Sequence, residues 1–346
     1  MPLTRRSLLS GSLAALLTMT LAACADSGTP AAPAEPLTQQ QNDLYAKAKS
    51  EPSLTWYSSQ DPARNDAVLK AFQARYPGLH ATSFRLASGE LANRYSQEHQ
   101  SGVHTAGLVT LSSPDFVQQG RQKGWFDQLS ADAFPELRTY PADFYADGVA
   151  TTGISVFGIG YNTTLVQNPP KNWTDLLSPD YRGKIILGDP RNTPAYIALG
   201  TVWLEKYGEN FLRGLAGQQL KLVDSMVPGT QQLAAGEGSI GLPSVLTVLN
   251  PLKSDGAPLD LTVPDITTGV EFQTMLPAGG PSPDTAKLLY QFLLTPAGQQ
   301  AFNGTTSSSP VNAPGTVPLP ANYQKVTLAD AANNRDRVLS LLGVRQ

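Results

Sequence analysis

Cysteine and histidine are scarce in this chain. Its 346 residues include one cysteine, Cys24, and three histidines. A single thiol excludes an internal disulfide, so packing must hold the fold together. His99 and His104 are not at the i, i+4 spacing that places two imidazoles on one helix face. We therefore predict no metal site and no cofactor.

An excess of positive charge is also absent. The chain has 25 Lys and Arg against 28 Asp and Glu, a formal net charge of −3 at pH 7, which excludes a nucleic-acid partner. It has no G-x-S-x-G motif, and we predict no catalytic residue and no enzyme. Residues 236–241 match G-x-G-x-x-G, but we predict a helix before them and a strand after them. A dinucleotide site needs the reverse order, so the match is a coincidence.

A short apolar run follows Thr4-Arg5-Arg6 at the start of the chain and ends at Leu21-Ala22-Ala23-Cys24. This is the pattern of an export signal. The last four residues resemble a bacterial lipobox, which predicts a lipoprotein signal peptide at 1–23 and a lipid on Cys24. An ordinary secretory signal is the alternative, and the two arginines leave both the Sec and the twin-arginine route open. Few bulky apolar residues follow, so we predict a flexible stalk over 24–50.

Short strands alternate with helices beyond the stalk. Asp61-Pro62, for example, is typical of a helix start, with Asp61 as the N-cap and Pro62 in the first turn. The alternation predicts an α/β fold, and the length predicts two lobes. Glycine-containing, β-rich runs near Thr151–Tyr161 and Thr267–Met275 predict two hinge strands. We assign 51–155 to the first lobe, 156–268 to the second, and 269–346 to a return to the first lobe with a C-terminal wrap.

Small polar turns follow several predicted strands, where ligands collect in open α/β sheets. Hydroxyls and amides at helix N-termini suit an oxyanion or a polar solute. Each of these residues also suits a plain N-cap, which is the alternative. Arg85 and Arg191 are candidates to pair with an anion, and a role on the surface is the alternative for either. The candidate ligand contacts are Ser58, Ser59, Gln60, Ser88, Gly89, Ser112, Ser113, Asn192, Thr193, Thr230 and Ser244.

Six segments in order carry a resemblance to a known family: residues 56–61, 88–92, 158–163, 172–177, 181–185 and 295–300. On these segments the chain resembles the extracellular solute-binding proteins, family 1, of ABC transporters, in their ferric-binding-like branch. The resemblance implies a two-lobe, periplasmic-binding-protein-like fold of type II with a ligand cleft between the lobes. It further implies a monomer that closes on a solute and delivers it to a membrane permease, at the outer face of the bacterial cytoplasmic membrane.

Ferric binders of this branch supply a histidine after the loop glutamine, a carboxylate after the third strand, and a tyrosine pair after an Ala-Ala-Gly-Glu stretch. Here Gln60 is followed by Asp61, the third strand by Ser112-Ser113, and the last stretch by Leu242–Thr247. Ferric iron prefers anionic oxygen ligands, so we expect a small polar or anionic solute instead. The alternatives are a ferric or ferric-chelate binder, and an exported enzyme or cell-surface scaffold on the same frame.

Overall fold

The computed structural model of the protein describes residues 36–132 and 134–344. The predicted signal peptide, Cys24 and the first part of the predicted stalk lie outside these residues. One compact unit begins at Leu37.

A six-stranded mixed sheet forms the centre of the first lobe. Its spatial order is β2 (Ala81–Arg85), β1 (Leu54–Ser58), β3 (Leu108–Leu111), β12 (Gly269–Met275), β5 (Val149–Val156) and β4 (Tyr145–Ala146). Strand β1 is parallel to β2 and β3, whereas β12 is antiparallel to β3 and β5. Helices α2 (Pro62–Arg75), α3 (Ser88–Gln100) and α4 (Pro114–Gln122) follow the three parallel strands. Separate apolar clusters, one around Trp56 and one around Tyr57, cover the two faces of the sheet.

A five-stranded sheet forms the centre of the second lobe. Its spatial order is β10 (Leu259–Thr262), β6 (Gly158–Asn162), β9 (Ile240–Ser244), β7 (Ile185–Gly188) and β8 (Lys221–Val223). Helices α5 (Pro194–Ala216), α6 (Met226–Ala234) and α7 (Leu246–Ser254) follow β7, β8 and β9. Gly236, at φ 82°, lies between α6 and β9, so the predicted order of helix before strand is confirmed at the glycine motif.

Two neighbouring segments connect the lobes. The chain leaves β5 at Val156 and enters β6 at Gly158, and it returns through β11 (Ile266–Thr267) into β12. The two segments are bonded to each other, because the Phe157 backbone N–H donates to the Thr268 carbonyl at 2.9 Å. The Thr267 hydroxyl also donates to the Phe157 carbonyl at 2.8 Å. Both predicted hinge segments therefore lie at the junction of the lobes.

The C-terminal part of the chain is divided between the lobes. Helices α8 (Pro283–Leu294) and α9 (Pro296–Asn303) pack on the first lobe, and the short β13 (Asn322–Tyr323) pairs with β11. The sequence assigns all of 269–346 to the first lobe, but the structure places α10 (Leu328–Leu341) on α5 of the second. The physical reason is that Val338, Leu339 and Leu341 complete the apolar core around Trp203.

Helix α1 (Gln39–Ala48) lies within the predicted stalk. Thr38 caps it by accepting from the Gln41 backbone N–H, and Leu44, Tyr45 and Ala48 pack on the core of the first lobe. The ordered part therefore starts before the predicted boundary at residue 51, because three apolar side chains at helical spacing give this segment a face to bury.

Candidate binding cleft

The carboxyl ends of β1 and β3 and the start of α3 bring three predicted residues together. The Ser59 backbone N–H donates to the Thr110 carbonyl at 2.9 Å, and the Ser88 hydroxyl donates to the Ser59 hydroxyl at 2.9 Å. The Ser112 backbone N–H donates to the Ser88 hydroxyl at 3.1 Å. Parallel strands end at the same edge of a sheet, so polar turns that are distant in sequence become one cluster here.

Ser58 and Gln60 lie next to this cluster, at the start of α2. The Ser58 side chain is fully buried, and its hydroxyl donates to Asn65 Oδ1 at 2.8 Å. Gln60 is also buried, with Oε1 accepting from the Asp61 backbone N–H at 2.9 Å. Its Nε2 has no hydrogen-bond partner within the described ranges. Gln60 is therefore the member of this turn with an unused donor.

Gly89 and Ser113 lie in the same region of the first lobe. Gly89 is exposed in the first turn of α3, and a Cβ built on it would meet no atom within 4 Å. Ser113 stands at the N-cap position of α4 without a capping hydrogen bond from its side chain. Gly89 therefore faces open space, whereas Ser113 is half-buried.

The remaining predicted residues belong to the second lobe, and three of them make hydrogen bonds within it. Thr230 and Ser244 are buried, and their hydroxyls donate to backbone carbonyls, of Met226 at 2.6 Å and of Gly241 at 3.0 Å. Asn192 donates from Nδ2 to the Asp224 carbonyl at 3.2 Å. Thr193 stands at the N-cap position of α5 with no side-chain capping bond.

Arg191 is paired within the protein. Its guanidinium contacts the Asp189 carboxylate at 2.5 Å, and its backbone N–H donates to the same side chain. The side-chain hydrogen bond from Arg191 lowers the pKa of Asp189, and burial acts in the opposite direction to a smaller extent. An anion would have to compete with this carboxylate, so the expectation that Arg191 binds one loses its support.

A cavity of about 530 Å³ lies between the lobes. The first lobe contributes the loop before α2 and its first turn, α7 contributes the opposite wall, and the segment after α9 contributes the rest. Gln60 is the predicted candidate that lines it. The lining residues are Gln60, Asp61, Ala63, Arg64, Thr247, Asn250, Pro251, Lys253, Ser254, Thr305 and Thr306.

The charged side chains of the cavity are Asp61, Arg64 and Lys253. Asp61 caps α2 by accepting from the Ala63 backbone N–H at 2.9 Å, and Lys253 pairs with Asp260 at 3.0 Å. Arg64 is half-buried, and its side chain makes no hydrogen bond or ion pair with any residue of 36–132 or 134–344. Arg64 lies in the first turn of a correctly predicted helix, but it is not among the predicted ligand contacts. The residue types of an N-cap mark the position before a helix, whereas Arg64 is the third residue within it.

The cavity has few ligands for a metal ion. Asp61 is its single carboxylate, and within the described part of the chain no group of three or more His, Cys, Asp and Glu is arranged to hold a metal. His99 and His104 lie together with their ring centroids 5.6 Å apart, and His99 contacts Trp125 instead of the cavity.

Comparison with known proteins decides the family. Residues 103–332 match the model of the bacterial extracellular solute-binding proteins. The chain belongs to that family. An uncharacterized protein of Haemophilus influenzae is 31% identical over 273 residues, which cover 74% of this chain and 77% of that protein.

Solved structures show the same fold. Iron-bound HitA from Pseudomonas aeruginosa has a TM-score of 0.64 at 18% identity, covering 84% of this chain and 98% of HitA. AfuA from Actinobacillus pleuropneumoniae, with fructose-6-phosphate bound, has a TM-score of 0.62 at 19% identity. The match covers 85% of this chain and 99% of AfuA. A putative extracellular solute-binding protein from Bordetella parapertussis has a TM-score of 0.69 at 15% identity. The match covers 85% of this chain and 98% of that protein.

The chain is thus a member of the bacterial extracellular solute-binding proteins with the two-lobe fold that the resemblance implied. In the part of the chain that the structure describes, no helix combines the length and the apolar character needed to cross a membrane.

Proposed function

We propose that this solute-binding protein captures a small polar or anionic solute between its lobes, closes on it, and delivers it to a membrane permease. The observation that carries the proposal is the cavity lined by α2 on one side and α7 on the other. A solute that contacts both lobes favours the closed state by its differential affinity. Moving a 1:99 population to 99:1 takes about 5.5 kcal/mol of such preference.

The lining of the cavity favours a polar solute over a metal ion. Its side chains are mainly amides, hydroxyls and two cations, with one carboxylate. Hard cations such as ferric iron prefer several anionic oxygen ligands. Four structures of similar fold favour a ferric cargo: iron-bound HitA, a Trichodesmium protein in complex with iron and citrate, and the ferric iron-binding proteins of Pasteurella haemolytica and Mannheimia haemolytica. AfuA, in contrast, has fructose-6-phosphate bound. Because the lining has one carboxylate, we favour transport of an organic solute, without catalysis.

A ligand screen followed by solution scattering tests the proposal. Thermal unfolding of the purified protein is measured with phosphate, phosphonates, sulfate, organic acids, polyols and polyamines. A true solute at about 100 times its dissociation constant adds about 2.7 kcal/mol of stability. It should also decrease the radius of gyration, because the lobes approach each other. A panel without any saturable stabilisation, or hydrolysis of a stabilising compound, would favour the enzyme or scaffold alternative.

We further propose that a lipid on Cys24 holds the protein at the outer face of the membrane. Two or more acyl chains give stable attachment where one does not. Cells grown with a radiolabelled fatty acid should incorporate the label into the wild-type protein and not into Cys24→Ser. Equal labelling of the wild-type protein and Cys24→Ser would contradict the proposed lipid anchor. It would have no bearing on the proposed solute binding.

A further inference from the structure

Among the three charged side chains of the cavity, that of Arg64 makes neither a hydrogen bond nor an ion pair with residues 36–132 and 134–344. It is half-buried in the first turn of α2, with its backbone N–H bonded to the Asp61 carbonyl at 3.0 Å. A half-buried guanidinium without a counter-ion has lost part of its hydration and gained no protein acceptor. Such a group is poised to take an acceptor from a ligand.

The Arg64 side chain packs against Gly304. A Cβ built on Gly304 would lie 2.0 Å from Arg64 Nη1 and 2.6 Å from Cζ, so the guanidinium packs directly against the glycine. Gly304 has φ 49° and ends α9, and Thr305 and Thr306 then continue into the cavity wall. A side chain at residue 304 would therefore displace the guanidinium from its present position at the cavity.

Gln60 provides a second, independent donor in the same cavity. Its side chain is 3% exposed, and Oε1 is held by the Asp61 backbone N–H at 2.9 Å. The Nε2 atom is itself enclosed, and it has no partner within the described ranges. Buried donors in native proteins are nearly always satisfied, so we infer that Nε2 takes an acceptor from a ligand when the side chain turns toward the cavity.

The backbone of α2 does not compete for this acceptor. Pro62 has no N–H, and the N–H groups of Ala63, Arg64 and Asn65 are all bonded to Asp61. The binding must therefore come from side chains, and on the first lobe Arg64 and Gln60 supply donors. Across the cavity Asn250 and Lys253 of α7 add further donors, with Lys253 shared with Asp260 at 3.0 Å.

We propose that Arg64 is the specificity-determining residue of the cleft, and that with Gln60 Nε2 it binds the carboxylate or phosphate group of a small organic anion. The proposal rests on the proposed function and names its solute class. A guanidinium matches both groups because its fork donates two parallel hydrogen bonds. Binding on the first lobe places the rest of the solute toward α7, where closure of the second lobe covers it.

Calorimetric titration tests the assignment with four probes: inorganic phosphate, glycerol 3-phosphate, citrate and neutral glycerol. They are added to the wild-type protein, Arg64→Gln, Arg64→Lys and the control Lys70→Gln. Lys70 is exposed on the same helix outside the cavity, so its variant loses the same charge without touching the site. Unfolding in urea verifies that all four proteins are folded.

We expect at least one anion to bind the wild type saturably and glycerol not to bind. Arg64→Gln should weaken that anion by about 10- to 100-fold, Arg64→Lys by less, and Lys70→Gln by less than about twofold. Binding of inorganic phosphate and glycerol 3-phosphate would show that the site takes the phosphate group of its solute. Binding of citrate alone would show that it takes a carboxylate group.

Three results would overturn the inference: equal anion affinity in Arg64→Gln and wild type, binding of glycerol in preference to the anions, or binding of no anion. The first two leave the receptor function intact. Failure of the whole solute screen, by contrast, would remove the receptor function as well.

Discussion

Phe157 and Thr268 join the two connections between the lobes through a backbone hydrogen bond of 2.9 Å. The Thr267 hydroxyl strengthens the same junction by donating to the Phe157 carbonyl at 2.8 Å. The two segments are therefore bonded to each other where the chain passes between the lobes, and we expect a solute that draws the lobes together to act at this junction.

Thr267→Val tests the contribution of this junction to stability. Valine keeps the shape of a buried side chain but leaves the Phe157 carbonyl without the hydroxyl. We expect the free energy of unfolding in urea to fall by about 1–3 kcal/mol. The exposed Thr174→Val is the matched control and should change stability by less than about 0.5 kcal/mol. Equal values for the two variants would mean that this hydroxyl does not hold the hinge.

The docking of α10 on α5 is tested by Gly200→Ala. The added methyl group would lie 2.4 Å from Val338 Cγ1, so α10 must shift. We expect a loss of about 1–3 kcal/mol from overpacking. Val338→Ala leaves a cavity and also destabilises, but the double variant should lose less than the sum of the two, because each change relieves the other. Additive losses in a double-mutant cycle of urea unfolding would place α10 elsewhere.

Asp61 is expected to have two separable roles. Asp61→Ala removes the cap of α2 and should cost about 1 kcal/mol of stability. Asp61→Asn keeps a capping oxygen, so stability should change by less than about 0.5 kcal/mol. Both variants remove the negative charge of the cavity and should raise the affinity for an anionic probe several-fold. Weaker anion binding by Asp61→Asn would show that the carboxylate instead contributes to the site.

The Asp189–Arg191 pair predicts a pH-dependent contribution to stability. The Arg191 hydrogen bond lowers the pKa of Asp189 in the folded protein. The pair therefore contributes to the free energy of unfolding above the ordinary pKa of the Asp189 carboxyl group. This contribution is lost as the pH falls through the lowered pKa. Arg191→Gln should be less stable than the wild type at pH 7, and the gap should narrow on acidification. Arg182→Gln, exposed and without this partner, is the charge-matched control for urea unfolding.

A gap that stays constant from pH 7 to strongly acid solution would contradict the predicted contribution. It would mean that Arg191 acts through packing, because the ionisation of Asp189 would then have no effect on the difference.

The local elements of the fold could be predicted from the sequence. Asp61-Pro62 starts α2 as its residue types indicate, with Asp61 as the cap and Pro62 as the first helical residue. These signals are local, because a cap and a first-turn proline act within one turn of their own helix. The position of α10 could not be derived in this way, because the contact between Gly200 and Val338 joins distant parts of the chain.

The candidate site was predictable only in part. The cluster of Ser59, Ser88 and Ser112 follows from parallel strands that end at one edge. Residue type alone cannot separate such hydroxyls from those of Thr230 and Ser244, which are buried and bonded within the second lobe. Arg64 and Lys253 were missed because they approach the same cavity only after both lobes have folded.

A crystal structure of the protein with its tightest-binding anion tests the central claim most directly. We predict that the solute lies between α2 and α7, that its carboxylate or phosphate group is within hydrogen-bonding distance of Arg64, and that side chains of α7 contact its other end. A solute bound outside this cavity, or contacts confined to one lobe, would contradict the account.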